Sequence, residues 1–328
     1  MKKVLLFEPI HPVGIERLRE EPDIEVSICA DLSVPKLYEE VAGVDALIVR
    51  GSRVGRDILE AAQNLKVIGR HGTGVDNIDL ETATKKSIAV VNTPQANIQS
   101  VAEHTVMCFL VLARKAIQSN EALRKGLFSG EGASLPLLAE KYGFVGQELY
   151  GQCLGIIGLG RIGRKVAQIC KLAFQMDVLA YDPYVTAGSA EVEVELVKEV
   201  DELFRRADFV SLHLPLTSAT RGFVGQRELR LMKKEAFLIN AARGGIVDER
   251  ALVDASENGV IAGAAVDVYE QEPLPQDHPF FGCKNLFLTP HNAALTENAR
   301  KRMAIDVVDG VLDVLKGRRP KYQVLVST

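Results

Sequence analysis

The sequence predicts an α/β protein built from two doubly wound parallel sheets. Short apolar segments rich in Val and Ile alternate with segments of helical periodicity along almost the whole chain, which is the pattern of parallel strands joined by helices. A length of 328 residues suits about two domains with separate cores. The charge is nearly balanced, with 39 Lys and Arg against 43 Asp and Glu. That balance disfavours a nucleic-acid-binding protein and a disordered acidic chain.

The first part of the chain predicts five strands that alternate with four helices. The apolar runs predict strands at 3–7, 25–28, 46–49, 67–69 and 89–91. Helical spacing predicts helices at 14–20, 35–41, 57–62 and 80–86. The N-terminal apolar run is ended by Glu8 and Pro9 at strand length, so it predicts a first strand rather than a signal peptide.

The rest of the chain predicts one long helix, a second alternating unit and a terminal helix. The long helix covers 98–127, with Asn97 or Ser100 as its N-cap. Strands are predicted at 153–157, 178–181, 209–212, 237–240, 263–267 and 287–289. Helices are predicted at 162–174, 197–206, 226–233, 248–258 and 296–316.

Composition narrows the location and excludes some kinds of site. No stretch approaches the 18 apolar residues of a membrane span. The five cysteines form no CxxC pair and are an odd number, so we expect free thiols and a cytoplasmic location. The six histidines show no zinc-binding spacing, so no metal site is predicted.

A glycine motif follows the first strand of the second unit. Gly158, Gly160 and Gly163 form a GxGxxG pattern at the start of a helix, where backbone N–H groups can approach a pyrophosphate. The next strand ends in Asp182, a residue type that binds the ribose hydroxyls of NAD and repels the 2′-phosphate of NADP. An incidental glycine turn and a strand-end turn residue are the alternatives for this motif and for Asp182.

Three later strands of this unit end in residues suited to acid–base chemistry. Arg243, Glu272 and His291 follow the strands at 237–240, 263–267 and 287–289, and ligands of doubly wound sheets bind at that edge. A guanidinium can hold a carboxylate through two parallel hydrogen bonds. A histidine paired with a carboxylate can act as general acid and base at neutral pH. Taken alone, each of these residue types is more often a surface or structural residue, and it is their combination at one sheet edge that favours the chemistry.

Taken together, these residues resemble the D-isomer-specific 2-hydroxyacid dehydrogenases, and within them the D-3-phosphoglycerate dehydrogenase branch. The similarity extends from the first unit almost to the terminal helix. The matching segments are 72–79, 92–94, 100–104, 158–163, 212–217 and 241–244, together with Asp267, Glu272-Pro273 and Pro290-His291.

The resemblance implies a nested arrangement of domains. An NAD-binding Rossmann domain, 98–292, would be inserted into a flavodoxin-like substrate-binding domain formed by 1–97 and 293–328. The two chain crossings would act as a hinge. The long helix and the loop after it would form the arm of a homodimer. The length leaves no room for an added C-terminal regulatory domain, so feedback regulation through such a domain is not expected.

The resemblance also implies a role for each matching residue. Arg243 would hold the substrate carboxylate, His291 would exchange the hydroxyl proton while hydride passes between C2 and NAD, and Glu272 would orient the histidine. The implied cofactor contacts are Thr73, Gly158, Gly160, Arg161, Ile162, Gly163, Asp182, Pro215, Ala241, Ala242, Arg243, Asp267 and His291. The implied substrate contacts are Arg50, Arg70, Gly72, Thr73, Gly74 and Arg243.

The identity of the 2-hydroxy acid is a separate question. Arg50 and Arg70 suit a distal phosphate, sulfonate or second carboxylate, so 3-phosphoglycerate or a similar anionic acid is the predicted substrate. The alternatives are glyoxylate, hydroxypyruvate or sulfolactate as substrate, or an NAD-sensing, corepressor-like interaction protein. No nucleic-acid or membrane partner is predicted.

Overall fold

The computed structural model describes residues 1–129, 134–186 and 193–325. The chain divides into two compact units. Residues 1–100 form the first unit with 294–328, and residues 101–293 form the second. In the described part of the chain, no helix is both long enough and apolar enough to span a membrane.

The first unit contains a five-stranded parallel sheet. Its elements up to residue 91 are β1 (Lys2–Leu6), α1 (Pro12–Arg19), β2 (Ile24–Ile28), α2 (Val34–Val41), β3 (Ala46–Val49), α3 (Arg56–Ala61), β4 (Val67–Arg70), α4 (Leu80–Lys85) and β5 (Ala89–Val91). The strand order is β2-β1-β3-β4-β5, and all neighbours run parallel. This is the order of flavodoxin-like doubly wound sheets.

The second unit contains a seven-stranded parallel sheet. Its elements are α5 (Ile98–Ala113, which begins in the first unit), α6 (Ala116–Arg124), α7 (Leu135–Lys141), β6 (Cys153–Ile157), α8 (Arg161–Phe174), β7 (Asp177–Tyr181), β8 (Glu195–Leu196), α9 (Val200–Arg206), β9 (Phe209–Leu212), α10 (Gln226–Leu231), β10 (Phe237–Asn240), α11 (Glu249–Glu257), β11 (Gly263–Val266) and β12 (Leu286–Leu288). The order β12-β11-β10-β9-β6-β7-β8 reverses between β6 and β9, as in Rossmann sheets.

Both sheets are covered on both faces by apolar side chains. In the second unit, the consecutive residues Leu238 and Ile239 of β10 belong to different buried clusters. In the first unit, α12 (Glu297–Leu315) packs on β4. A Cβ at Gly69 would lie 2.7 Å from side-chain atoms of Val307 and Val311, so the glycine permits this close approach. The predicted fold class, two doubly wound parallel α/β sheets, is therefore confirmed.

The prediction of one helix over 98–127 is wrong, because the helix breaks after Ala113. Lys115 adopts a left-handed conformation with φ 49° and precedes α6. The carbonyl oxygen of Ala113 accepts a hydrogen bond from Gln147 N at 2.8 Å, and Lys115 Nζ donates to Gly143 O at 2.7 Å. Contacts with a distant segment therefore end the helix where no glycine or proline marks a boundary. In the predicted loop after it, 130–133 lie outside the described residues.

Candidate active site

The proposed catalytic residues follow three neighbouring strands. Arg243 comes after β10, Glu272 after β11 and His291 after β12. The carboxyl ends of parallel strands meet at one edge of the sheet, so these residues converge there. His291 Nδ1 and Glu272 Oε2 are 2.7 Å apart. The two side chains are 49% and 38% exposed, so the pair is accessible to a ligand.

Glu272 is held as a carboxylate. Its Oε1 accepts a hydrogen bond from Tyr269 N at 3.0 Å, while Oε2 pairs with His291. Burial acts to raise the pKa of Glu272, but the hydrogen bonds from His291 and Tyr269 and the charges of His291 and Arg243 outweigh burial and lower it. An ionised Glu272 can stabilise a protonated imidazole and fixes Nδ1 as the donor.

The loop that carries His291 is fastened to Asp267. This carboxylate is 2% exposed and accepts hydrogen bonds from Thr289 Oγ1 at 2.6 Å and from the backbone N–H groups of Asn292 and Ala293 at 2.9 Å each. His291 itself has a positive φ of 50°, which a non-glycine residue adopts only when its surroundings impose it. Asp267 therefore holds the loop on both sides of the histidine, through the Thr289 side chain before it and two backbone N–H groups after it.

Two further side chains contact the same loop through Thr289. Tyr269 Oη donates to the backbone oxygen of Thr289 at 2.7 Å, and burial raises the pKa of Tyr269 to about 12, so the hydroxyl keeps its proton. His104 Nε2 lies 3.2 Å from Thr289 Oγ1. Burial lowers the pKa of His104 although the charge of Asp267 opposes it.

The Arg243 loop is held by its own strand and by close backbone packing. The buried side chain of Asn240 donates to Arg243 O at 2.9 Å and accepts from Ala242 N at 3.2 Å. Arg243 Nη1 donates to Ala242 O at 2.6 Å. A Cβ at Gly244 would lie 1.8 Å from Tyr269 O, so only glycine lets this loop pass the segment that leads to Glu272.

The glycine motif fits a dinucleotide, with a separate role for each glycine. Gly158 has φ +94°, and a Cβ there would lie 2.6 Å from His213 O. A Cβ at Gly163 would lie 2.3 Å from Gly158 O, whereas a Cβ at Gly160 would have no atom within 4 Å. The first glycine thus makes the turn, the third lets α8 pack closely, and the second leaves open space where a pyrophosphate can approach the start of α8.

The other predicted cofactor residues lie around this motif. Asp182 Oδ2 accepts a hydrogen bond from Leu159 N at 2.8 Å, inside the glycine loop, and Oδ1 accepts from Tyr184 N. Arg161 is exposed at the first position of α8 and Ile162 is half-buried beside it. Pro215 is exposed after β9, and Ala241 is half-buried after β10.

The first unit contains the remaining predicted residues. Arg50 follows β3, Arg70 ends β4, and Gly72-Thr73-Gly74 form the turn after it. The turn is held by hydrogen bonds from Thr93 N to Gly72 O at 2.9 Å and from Asn92 Nδ2 to Thr73 O at 2.7 Å. Arg70 Nη1 donates to the backbone oxygen of the next residue.

Glu8 organises the loop that contains Arg50. Its carboxylate accepts hydrogen bonds from the backbone N–H groups of Arg50, Gly51 and Ser52 at 2.9, 2.9 and 2.6 Å. Burial acts to raise the pKa of Glu8, but these hydrogen bonds outweigh it and lower the pKa. Arg50 Nη1 also donates to Pro9 O at 3.1 Å, so two consecutive residues after β1 hold this arginine.

Sequence reasoning missed the residues that support the site. It assigned no role to Asn240, Tyr269 or Thr289, nor to Glu8 in the first unit. Each lies at a strand end or within three residues of one. A polar residue at the carboxyl end of a parallel strand is a usable signal, but which backbone group it binds depends on the fold.

Comparison with known proteins identifies relatives of the chain. The NAD-binding domain of D-isomer specific 2-hydroxyacid dehydrogenases matches residues 106–293. The D-3-phosphoglycerate dehydrogenase of Methanocaldococcus jannaschii is 44% identical over 319 residues, which make up 97% of this chain and 58% of that protein. The chain therefore spans somewhat more than half of the length of this relative.

Solved structures of similar proteins cover the chain almost completely. The TT0316 protein of Thermus thermophilus is 34% identical with a TM-score of 0.88, and the match covers 98% of this chain and 100% of that one. The NADPH-dependent glyoxylate/hydroxypyruvate reductase of Sinorhizobium meliloti is 26% identical with a TM-score of 0.86, covering 99% and 98%.

Proposed function

Because the chain belongs to the family of D-isomer specific 2-hydroxyacid dehydrogenases, we propose that it oxidises a D-2-hydroxy acid to the 2-keto acid with NAD as hydride acceptor. The observation that carries this proposal is the pairing of His291 Nδ1 with Glu272 Oε2 at 2.7 Å. Arg243 follows β10. Glu272 and His291 follow β11 and β12, the next two strands of the same sheet.

The proposed acid–base chemistry follows from this pairing. His291 uses Nδ1 to donate to Glu272, which leaves Nε2 to take the proton of the C2 hydroxyl. The lowered pKa of Glu272 keeps a negative charge beside the imidazolium that forms. In the reverse reaction, the imidazolium returns the proton to the keto oxygen. Arg243 binds the carboxylate, and also the oxygen at C2, which fixes the reacting carbon.

NAD, when bound, supplies the acceptor for the hydride that leaves C2. In the chain, Gly158, Gly160 and Gly163 would hold its pyrophosphate, with Arg161 and Ile162 against it, and Asp182 would bind the ribose. The predicted contacts of Pro215, Ala241, Ala242 and Asp267, and of Thr73 in the first unit, belong to the same proposal. We expect Asp182 to disfavour NADP, because its carboxylate would repel the 2′-phosphate.

The proposed substrate is 3-phosphoglycerate or a similar acid with a second anionic group. In the first unit, Gly72, Thr73 and Gly74 would bind the carboxylate through backbone N–H groups. Arg50 and Arg70 would bind the distal anion. The similarity to the D-3-phosphoglycerate dehydrogenase of Methanocaldococcus jannaschii supports this choice. Residues 1–97 with 293–328 would then be the substrate-binding domain, and 98–292 the cofactor domain.

We also propose that the protein forms a homodimer and that it is cytoplasmic. α6 and α7 have no buried residues, and Leu123 and Leu137, one on each helix, are 59% and 63% exposed. Apolar side chains at such density suit a contact with a second copy of the chain. Cell fractionation tests the location. We expect the protein in the cytoplasmic fraction.

A substrate panel tests the proposed reaction. The purified protein is incubated with NAD and each of 3-phospho-D-glycerate, D-glycerate, D-lactate and 3-sulfolactate, and NADH absorbance is followed. The reverse reaction is tested with glyoxylate and hydroxypyruvate. We expect the highest kcat/KM for 3-phospho-D-glycerate. A higher kcat/KM for an acid without a second anionic group would contradict the substrate assignment.

Two controls separate binding from chemistry. NADH binding is measured by fluorescence on the same preparation. Turnover of none of these acids by protein that binds NADH would contradict the enzymatic function and favour an NAD-sensing role. Repeating the assay with NADP tests the role of Asp182. We expect a rate with NADP about ten-fold or more below that with NAD.

A further inference from the structure

His71, the residue that links β4 to the proposed carboxylate-binding turn, is an unusual buried histidine. It is 5% exposed, and its Nε2 has no hydrogen-bond partner among the described residues. Leaving a buried polar atom unpaired is costly. His71 directly precedes Gly72, the first residue of the turn proposed to bind the substrate, so a bound ligand is the candidate partner for Nε2.

The surroundings of His71 are positively charged. Arg70 Nη1 donates to His71 O and would lie 2.0 Å from a Cβ at Gly72, so this guanidinium lies against the start of the turn. Burial, followed by the charges of Arg50 and Arg70, lowers the pKa of His71 to about 4, although the backbone oxygens of Arg300 and of His71 itself act in the opposite direction. The imidazole is therefore neutral at physiological pH.

These neighbours come from three elements of the first unit. Arg50 follows β3, Arg70 belongs to β4, and α12 contributes the backbone oxygen of Arg300. Glu8, the acidic residue that follows β1, is bound to the backbone at Arg50. An anion that neutralises the two arginines would remove their contribution, and negative charge beyond theirs would offset part of the effect of burial, so such an anion promotes proton uptake by His71.

We propose that His71 determines substrate specificity by sharing a proton with a phosphate monoester of the substrate. The inference rests on the proposed function and narrows its substrate class. In the shared state the proton of a phosphate monoanion is donated to Nε2, or it moves to Nε2 and the imidazolium donates back to the dianion. No other bond changes, and both arrangements give Nε2 its missing partner.

Phosphate differs from the other candidate anions in the charge that it brings beside His71. Burial and the two arginines lower the pKa of the imidazole to about 4, so only a strongly negative ligand can offset them. A phosphate monoester has a second pKa of about 6 and is mostly a dianion at neutral pH. A sulfonate or a second carboxylate carries one negative charge and no proton there. A phosphate therefore promotes proton sharing with His71 more than either of these groups, while the two arginines bind the rest of its charge.

Steady-state kinetics test the specificity. kcat/KM is measured for 3-phospho-D-glycerate and for 3-sulfolactate with the wild type, His71→Gln and His11→Gln. Glutamine fills similar space but takes up no proton. We expect His71→Gln to lower the preference for phosphate over sulfonate about ten-fold or more. His11, which pairs with Glu297 at 2.8 Å in the same unit, is the control, and its variant is expected to keep the wild-type preference.

Calorimetry tests the proton itself without turnover. The enzyme saturated with NADH is titrated with 3-phospho-D-glycerate near pH 7.5, in buffers of different ionisation enthalpy. We expect the wild type to take up a substantial fraction of a proton per site with the phosphate ligand, but none with 3-sulfolactate. The His71→Gln variant is expected to lose this uptake.

The outcomes separate this inference from the proposed function. Failure of the wild type to oxidise any acid of the panel would overturn the proposed function. Oxidation of 3-phospho-D-glycerate with an unchanged phosphate preference in His71→Gln would overturn the role of His71 alone. If the variant does not fold, judged by thermal unfolding, the wild-type calorimetry still decides, because phosphate binding without proton uptake contradicts the proposal.

Discussion

The proposed catalytic histidine is positioned by backbone contacts as much as by its carboxylate partner. Asp267 binds the N–H groups of Asn292 and Ala293, and Tyr269 binds Thr289 O. These contacts fix the loop before any substrate arrives. Replacement of the imidazole alone should therefore remove the chemistry and leave the loop in place.

For His291→Asn we expect kcat to fall about 100-fold or more, the usual cost of losing a general acid–base group. Asparagine is chosen because it tolerates the positive φ of this position better than most residues. The measurement is kcat with the preferred acid, together with thermal unfolding to show that the variant folds. A kcat within about three-fold of the wild type would contradict the acid–base role of His291.

For Glu8→Gln we expect a free energy of unfolding lower by about 2 kcal/mol at neutral pH, since the carboxylate binds three backbone N–H groups. The pKa of Glu8 is lowered in the folded protein, so its stabilising effect is complete above the ordinary value and is lost as pH falls through the lowered one. Urea unfolding from neutral pH down to about pH 3 checks this. A difference between variant and wild type that stays constant with pH would contradict it.

Among individual residues, the sequence predicts the proposed catalytic side chains, but not the hydrogen bonds that hold their loops in place. Arg243, Glu272 and His291 are visible because each residue type has a distinctive chemistry and follows a strand. The partners of Asp267 and Glu8 are not visible, because a carboxylate that binds backbone N–H groups has the same local pattern as an exposed one. Those contacts exist only after distant segments have come together.

At the scale of elements, β6, the glycine loop and α8 together form the proposed cofactor-binding segment. We expect Gly163→Ala to destabilise the protein by roughly 1–3 kcal/mol, because its Cβ would lie 2.3 Å from Gly158 O. Gly160→Ala is the matched variant, since its Cβ would meet no atom within 4 Å. It should fold as the wild type and bind NADH more weakly.

Urea unfolding and NADH fluorescence titration on both variants check this pair. Equal stability of Gly163→Ala and the wild type would contradict the packing role of the third glycine. Unchanged NADH affinity in Gly160→Ala would contradict the position proposed for the pyrophosphate. The two results are independent, because one concerns the protein alone and the other concerns the ligand.

Strand–helix alternation predicts the helices and strands well. The apolar pattern of each element depends on contacts made within that element or within one sheet, so a short segment of sequence contains the signal. The strands at 46–49, 153–157, 209–212 and 237–240 have the predicted bounds. The break at Lys115 and the short strand β8 could not be predicted in this way. The first depends on Gln147 N reaching Ala113 O, and the second on pairing with β7.

At the scale of the whole molecule, the exposed apolar residues of α6 and α7 carry the dimer proposal. We expect Leu123→Asp to give a monomer, because an ionised carboxylate would be buried in the contact without a partner. Leu172→Asp is the control, since Leu172 is also exposed, at 73%, but lies on α8. Sedimentation equilibrium on both variants gives the mass. A dimer in both, or a wild type that is already a monomer, would contradict the proposal.

The strand orders follow from the sequence only through resemblance. Alternation predicts parallel sheets, but neither composition nor periodicity states that β1 lies between β2 and β3, or that β6 lies between β7 and β9. The glycine motif is the one local signal of a strand order, because a dinucleotide binds where the order reverses.

The fixed loop around His291 has a consequence for the temperature dependence of the reaction. The backbone on both sides of the imidazole is already bound to Asp267 and Tyr269, and the ring is bound to Glu272. Orienting His291, the proposed base, therefore costs little entropy when the proton moves. We expect an activation barrier that is mainly enthalpic, with an activation entropy close to zero once both ligands are bound.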